Sequence, residues 1–156
     1  MVTRAATPAD LPRLGVLGGM LVRQHHALDQ LRFFIVDGIE KGYEWFLGGE
    51  LRRDDAVVLV AQDGDEVIGY AYATLEPRNW NDLLDACGKL NDVIVDPATR
   101  RRGVGRALVQ AVRAELQRRG APRMVLMSAW RNPEAHAFFE SLGFRRTMLE
   151  MTLELG

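Results

Sequence analysis

The sequence predicts a mixed α/β (α+β) fold, a central mixed, mostly antiparallel sheet with helices on both faces, in one domain over residues 1–156. Three observations carry this. Residues 56–75 are two β-rich runs flanking Gln62-Asp63-Gly64-Asp65-Glu66, an antiparallel hairpin. Strand-like and helical runs then alternate at 89–95, 104–119, 123–129 and 132–142, as crossover connections do. Finally, 156 residues that are 47% hydrophobic and 26% charged suffice for one buried core.

Residues 2–6 form a short candidate strand. Thr7 suits an N-cap, Pro8 the first helical position and Asp10 the positive first turn of a helix. Leu11, Leu14, Leu17, Leu21 and Leu28 then recur at helical spacing. Gly15, Gly18 and Gly19 each weaken that helix by about 1 kcal/mol relative to alanine. It is therefore expected to pack tightly, bend or fray. Residues 25–34 mix polar and aromatic groups without a clean period. A second helix is expected over 42–53, with Tyr43, Phe46, Leu47 and Leu51 on one side. The hairpin occupies 56–61 and 67–75, a loop containing Trp80 spans 77–88, and 89–95 is a strand.

The helix from Val104 is the best formed. Val104, Ala107, Leu108, Ala111, Val112 and Leu116 make its inward stripe, and Arg106, Gln110, Arg113 and Gln117 face out. Arg118 and Arg119 suit its negative end, and Gly120 stops it. Residues 123–129 are a strand. Asn132-Pro133 opens a fourth helix with Ala135, Phe138, Phe139 and Leu142 inward and Gly143 as its stop. Residues 144–153 close the chain as one long strand or two short ones.

Charge and composition exclude several classes of function. A net charge of −1 argues against electrostatic binding of nucleic acid or membrane surfaces. Positive charge is instead local, at Arg100, Arg101, Arg102 and Arg106. The single cysteine, Cys87, rules out an internal disulfide and fits a reducing compartment. With no apolar signal core and no bilayer-length apolar run, a cytoplasmic location is expected. His25, His26 and His136 lack metal spacing, and no cysteine or carboxylate joins them, so no metal is expected.

The chemistry centres on residues 91–108. A β-branched strand runs into a basic loop, a Gly103-Val104-Gly105 turn and a helix. Glycines let backbone N–H groups approach an anion, and the helix N-terminus adds its positive dipole. A P-loop needs Lys-Ser or Lys-Thr after its last glycine, where Arg106-Ala107 stands. A dinucleotide fingerprint needs a small residue where Leu108 stands.

The pattern Arg100-x-x-Gly103-x-Gly105 resembles the signature loop of the GNAT superfamily of acetyl-coenzyme A dependent N-acetyltransferases. A second block, Asn132-x-x-Ala135-x-x-Phe138-Phe139-x-x-x-Gly143-Phe144, is similar to the family's late helix and turn. The hairpin with Gly69-Tyr70-Ala71 resembles the central one. The likeness covers nearly the whole chain and is weakest over 31–55 and 77–88. It implies acetyl-coenzyme A as co-substrate. The amides of Arg101, Arg102, Gly103, Val104, Gly105 and Arg106 would wrap its pyrophosphate, with arginine side chains adding charged hydrogen bonds. Val93 and Val95 would lie along the pantetheine arm, and a backbone N–H near Val95 would face the thioester oxygen. Asn132 would contact the arm and Phe138 would pack near it, although an N-cap alone accounts for Asn132. Direct attack by a primary amine of a small molecule or peptide would follow, in a ternary complex.

The sequence departs from the family at the acid and the base. The usual thiol-protonating tyrosine falls on Phe139. The usual positions of a strand carboxylate fall on Lys89 and Asn91. Asp92 is adjacent, and strand alternation sets it opposite Asn91 and Val95 unless a bulge re-aims it. It is a candidate for proton or substrate handling, or else a structural carboxylate. His25 is a second acid–base candidate, because imidazole titrates near neutrality; adjacent His25 and His26 point apart, so at most one of them faces the pocket. His136 is expected to face solvent. Trp80, Phe33, Phe34 and Trp45 are candidate walls of the acceptor site, and Tyr70 or Tyr72 a substitute for the missing tyrosine. The missing tyrosine and glutamate leave a rival reading open, a non-catalytic acetyl-coenzyme A binding module. Relatives pair through sheet edges or helices, so the resemblance also admits a homodimer.

Overall fold

Five strands form one sheet in chain order, β1 (Val2–Ala5), β2 (Ala56–Asp63), β3 (Glu66–Glu76), β4 (Cys87–Val95) and β5 (Met124–Leu126). The first four are antiparallel, and β5 runs parallel to β4. Between β1 and β2 lie α1 (Leu11–Leu28) and α2 (Ile39–Glu50). Helix α3 (Val104–Arg118) crosses from β4 to β5, and α4 (Pro133–Ser141) follows. The structure is a computed structural model and describes residues 1–99 and 103–156. The mixed, mostly antiparallel sheet with helices on both faces is the architecture expected.

Alternation along the strands makes two cores. Val58, Val60, Tyr70, Tyr72 and Ile94 face α1 and α2, where Leu14, Leu17, Leu21 and Leu47 meet them. Val57, Ala61, Ile68, Ala71, Ala73 and Leu90 face α3, against Leu108, Val112 and Leu116. Phe138, Phe139, Leu142 and Phe144 close the second core from α4 and the turn after it.

The start of α1 is pinned chemically. A one-turn 3-10 helix, Pro8–Asp10, precedes it. The Asp10 carboxylate accepts from the Thr7 N–H at 2.7 Å and from both Arg4 guanidinium nitrogens at 2.8 and 2.9 Å. The Arg4 hydrogen bonds, with those from Thr7, hold the Asp10 carboxyl down at about 2. The glycines of α1 serve tight packing. A Cβ on Gly15 would stand 2.5 Å from the Glu40 carbonyl oxygen, and one on Gly18 2.4 Å from Cδ1 of Tyr43. Helix α2 therefore lies directly on α1, with the Tyr43 ring over Gly18.

Three elements differ from expectation. Helix α2 starts at Ile39 rather than 42 because Gly38, at φ 71°, turns the chain into it. It stops at Glu50, whose buried carboxylate binds Arg53 and Tyr72 instead of facing another helical turn. Strand β5 covers three residues of the expected 123–129, because its ladder with β4 ends at Leu90. The described residues after Phe144 form no strand. Their alternation describes side chains, whereas a strand also needs a ladder partner. Among the described residues no helix is long and apolar enough to cross a membrane.

Candidate active site

The site is built on an irregularity in β4. Tyr72 pairs with Asp92 and Ala73 with Leu90, so Asn91 is an extra residue, a β-bulge. Leu90 consequently packs in the α3 core while Asp92 and Ile94 face α1 and α2. Plain alternation separates Asn91 from Asp92; the bulge corrects this, and both line one cavity. The Asn91 amide donates to Thr74 Oγ1 at 3.0 Å, which fixes the bulged side chain. Val95 pairs with Gly69 and stays on the other face from Asp92, as alternation expects.

Asp92 is the distinctive group. Its Oδ2 accepts from the Tyr70 hydroxyl at 2.9 Å. Burial pushes its pKa up to about 6, against the lowering effects of the Tyr70 hydrogen bond and of nearby His25. Tyr70 is fully buried, and burial together with the Asp92 charge drives its own pKa well up, so it remains a neutral donor. His25 Nδ1 lies 2.8 Å from the Leu21 carbonyl oxygen. A carbonyl only accepts, so Nδ1 carries the hydrogen and Nε2 is the nitrogen left to exchange a proton. His26 turns elsewhere, with Nδ1 2.8 Å from the Phe33 carbonyl oxygen.

Asp92 opens into a cavity of about 450 Å³. Its walls are aromatic and aliphatic: Ile39, Tyr43 and Phe46 from α2, and Tyr72 from β3. The Tyr72 hydroxyl donates to the buried Glu50 carboxylate at 2.5 Å, and its ring meets Phe46 edge-on at 5.7 Å. These walls were not read from the sequence. Tyr43 and Phe46 read as one side of the second helix, and nothing in the sequence singles out Glu50. The available signal was the run of glycines in α1, which marks where an aromatic of the next helix must sit.

The other side of β4 is an open strip of backbone. The Asp96 N–H donates to the Ile68 carbonyl at 2.8 Å, so alternation turns the N–H groups of Val93 and Val95 away from β3. They face the side where β5 no longer runs alongside, since its ladder covers only Gly88–Leu90. Gly103, at φ 73°, caps α3 in the left-handed conformation that glycine tolerates. A Cβ on Gly105 would lie 3.4 Å from Phe138 Cζ and 3.8 Å from Val95 Cγ2. Strand end, glycine turn and late helix therefore converge on one spot, where the absence of a side chain leaves room. The Val104 side chain is 2% exposed and belongs to the core, leaving its backbone at the helix N-terminus. A narrow, amide-lined gap leading to a helix N-terminus fits a long arm ending in phosphates. Arg100, Arg101 and Arg102 lie outside the described residues.

The remaining candidates have structural partners. Asn132 Oδ1 accepts from the Ala135 N–H at 3.1 Å, an N-cap. Arg106 is exposed and donates to Ser141 Oγ at 3.3 Å, tying α3 to α4. Phe139 packs between Phe138 and Phe144, with centroids at 5.1 and 5.6 Å. His136 is not turned to solvent, because its Nε2 sits 2.8 Å from the Ala129 carbonyl oxygen. Trp45, Trp80 and Phe34 are 82%, 75% and 74% exposed and do not wall the cavity. Cys87 is buried, and burial pushes its thiol pKa up, the opposite of a reactive cysteine.

The chain is similar to known proteins in sequence and in fold. The family model described as "Acetyltransferase (GNAT) family" matches residues 22–144. The chain is 29% identical over 104 residues to an uncharacterized N-acetyltransferase, YhfO, of Bacillus subtilis, covering 67% of this chain and 68% of that protein. It is 30% identical over 109 residues to the glucosamine 6-phosphate N-acetyltransferase of Trypanosoma brucei brucei, covering 68% and 71%. A crystal structure of a tetramutant of the BH1408 protein from Bacillus halodurans superposes with a TM-score of 0.87 over 99% of this chain and 100% of that one, at 22% identity.

Proposed function

The chain belongs to the GNAT acetyltransferase family, an N-acetyltransferase family using acetyl-coenzyme A, and from that premise we propose that it acetylates a primary amine of a small molecule or peptide with Asp92 as general base. The observation that carries the reading is the β4 bulge, which turns a half-buried carboxylate with a pKa of about 6 toward the aromatic cavity. A base poised near neutrality holds a proton weakly enough to release it each turnover.

When bound, acetyl-coenzyme A supplies an activated acetyl thioester. The N–H groups of Val93 and Val95 would hold its arm, with the Val95 N–H on the thioester oxygen as an oxyanion donor. Gly103, Val104 and Gly105 would present backbone amides to its pyrophosphate, and Arg100, Arg101, Arg102 and Arg106 would add charge. Asn132 would reach the arm with the amide nitrogen that capping leaves free, and Phe138 would pack against it. The acceptor would enter the cavity as an ammonium ion, give one proton to Asp92 and attack as the neutral amine; as the carbon–sulfur bond breaks, the second proton of the attacking nitrogen would pass to the departing sulfur. Tyr70 holds the Asp92 carboxylate in place, and His25 Nε2 offers the next stop for the proton. Phe139 cannot protonate the departing sulfur. A thiol of pKa about 8.5 leaves acceptably as the thiolate, so no tyrosine is required there. The acceptor is an amine compatible with a cavity lined by Ile39, Tyr43, Phe46 and Tyr72.

The test is release of coenzyme A thiol from acetyl-coenzyme A across a panel of sugar, aliphatic, aromatic and peptide amines. Turnover with at least one class supports the proposal. Binding of coenzyme A without turnover on any class would favour a binding module instead.

A further inference from the structure

Resting on the acetyl transfer set out above, we propose that the acceptor is an arylalkyl monoamine, a single ammonium group on an aromatic body, seated in the cavity at Asp92. The charges come first. Asp92 is the one carboxylate lining the cavity among the described residues, and no described lysine, arginine or histidine lines it. One ammonium group therefore finds a partner there. The three carboxylates of α2 are paired with other groups: Glu40 with Arg23 at 2.6 Å, Glu44 with Lys41 at 3.1 Å, and Glu50 with Arg53 and the Tyr72 hydroxyl. Asp37 lines a different cavity, together with Arg23. A polyamine or an aminoglycoside would leave its further ammonium groups unpaired, and a sugar phosphate would bring its phosphate to a site without a cation.

The polar groups of the walls are equally committed. Asn91 Nδ2 donates to Thr74 Oγ1 at 3.0 Å and to the Lys89 carbonyl oxygen at 3.3 Å. The Tyr72 hydroxyl donates to Glu50 at 2.5 Å. A sugar ring or a peptide backbone, dense in donors and acceptors, would exchange water for an apolar wall. Most of that wall is hydrocarbon, from Ile39 and the rings of Tyr43, Phe46 and Tyr72. Phe46 is 41% exposed, so its ring is a surface that an incoming ligand covers. The planes of Phe46 and Tyr72 stand at 84°, a corner in which an aromatic ligand stacks on one ring and meets the other edge-on. Aromatic walls beside a carboxylate also attract an ammonium group. At about 450 Å³ the cavity is of small-molecule size, within the roughly 300–1,000 Å³ of such sites.

The transfer forms a nitrogen–carbon bond and breaks the carbon–sulfur bond, with one ammonium proton passing to Asp92 and a second to the sulfur. The products are coenzyme A thiol and a neutral N-acetyl arylalkylamine. The amide carries no charge, so it lacks the ion pair with Asp92 that holds the substrate.

Thiol release with phenethylamine, butylamine, spermidine, glucosamine 6-phosphate and an unblocked tripeptide tests the class. The kcat/KM for phenethylamine should exceed each of the others by about tenfold or more. A higher value for spermidine, the sugar phosphate or the tripeptide would overturn the class while leaving Asp92 as the base. Equal values for phenethylamine and butylamine would overturn the aromatic preference. Gly42 lines the same cavity, and a Cβ there meets nothing within 4 Å, so Gly42→Glu adds a second carboxylate without a clash. It should raise kcat/KM for spermidine relative to phenethylamine several-fold; an unmoved ratio would contradict the charge pairing. If no amine turns over, the transfer reading fails, and calorimetry on the coenzyme A-bound chain decides the cavity separately. Phenethylamine should bind, and Phe46→Ala, with an unchanged circular dichroism spectrum, should weaken it about tenfold. No binding, or binding that Phe46→Ala leaves unaltered, would overturn the class as well.

Discussion

The hydroxyl of Tyr70 donates to Oδ2 of Asp92 at 2.9 Å, across the β3–β4 ladder and one pair away from the bulge at Asn91. This contact ties a fully buried aromatic residue of the sheet to a carboxylate raised toward neutrality. It stabilises the charged form of Asp92, yet burial outweighs it and the carboxyl titrates near 6. The imbalance has a measurable consequence for stability.

Between the ordinary carboxyl pKa and about 6, native Asp92 binds more protons than the unfolded chain does. Its contribution to stability therefore falls as pH rises through that window. Raised to about 6, the carboxyl loses on the order of 2–3 kcal/mol of its contribution between pH 4 and pH 7. Urea titrations of wild type and Asp92→Asn across this range should show the variant gaining relative stability by about that amount at pH 7. Parallel curves for the two proteins would mean that Asp92 is not raised.

Asp10 has the opposite sign. Arg4 and Thr7 hold its folded pKa at about 2, so its contribution is complete above the unfolded value and is lost as pH falls from about 4 to 2. Asp10→Ala removes the carboxylate that caps Thr7 and pairs with Arg4, which keeps its bonds to Gln62 and the Ala5 carbonyl, and should cost about 1–3 kcal/mol at pH 7 in thermal or urea unfolding.

Gly18 links packing to the acceptor site. A methyl group there would meet the Tyr43 ring at 2.4 Å, so Gly18→Ala must displace a wall of the cavity. We expect a loss of about 1–2 kcal/mol, the gain in helix propensity offsetting part of the overpacking. Steady-state kinetics should show the acceptor KM rising several-fold while the KM for acetyl-coenzyme A holds.

Gly105 is the counterpart on the donor side. Its added methyl would sit at an ordinary 3.4 Å from Phe138, so Gly105→Ala should fold with an unchanged or slightly higher Tm. The methyl would fill the spot where Val95, Gly105 and Phe138 converge. The dissociation constant for coenzyme A, measured by calorimetry, should rise about tenfold; an unchanged value would remove this spot from the donor site.

Much of this molecule is legible in its residues. The hairpin turn, the Thr7-Pro8 and Asn132-Pro133 starts and the apolar stripe of α3 are local signals, and the structure keeps each of them. The donor side follows from contiguous residues, as a glycine turn at a helix start does. The acceptor side does not, because it is assembled across the fold. A bulge depends on which residues pair, and pairing leaves no mark on a single strand's composition. Glu50 and Tyr43 acquire their places from β3 and α1, far away in sequence. The closing residues 144–153 read as a strand from alternation alone, which cannot say whether a partner is present.

The measurement that bears most directly on the account is the pH dependence of kcat/KM for an active amine, from pH 5 to pH 9, in wild type and Asp92→Asn. Activity in the wild type should rise with pH through a limb near 6, as Asp92 loses its proton. Asp92→Asn should lose about 10²–10⁴-fold in kcat/KM together with that limb, while binding coenzyme A as tightly as before. A variant that keeps both the rate and the limb would contradict the assignment of Asp92 as the base.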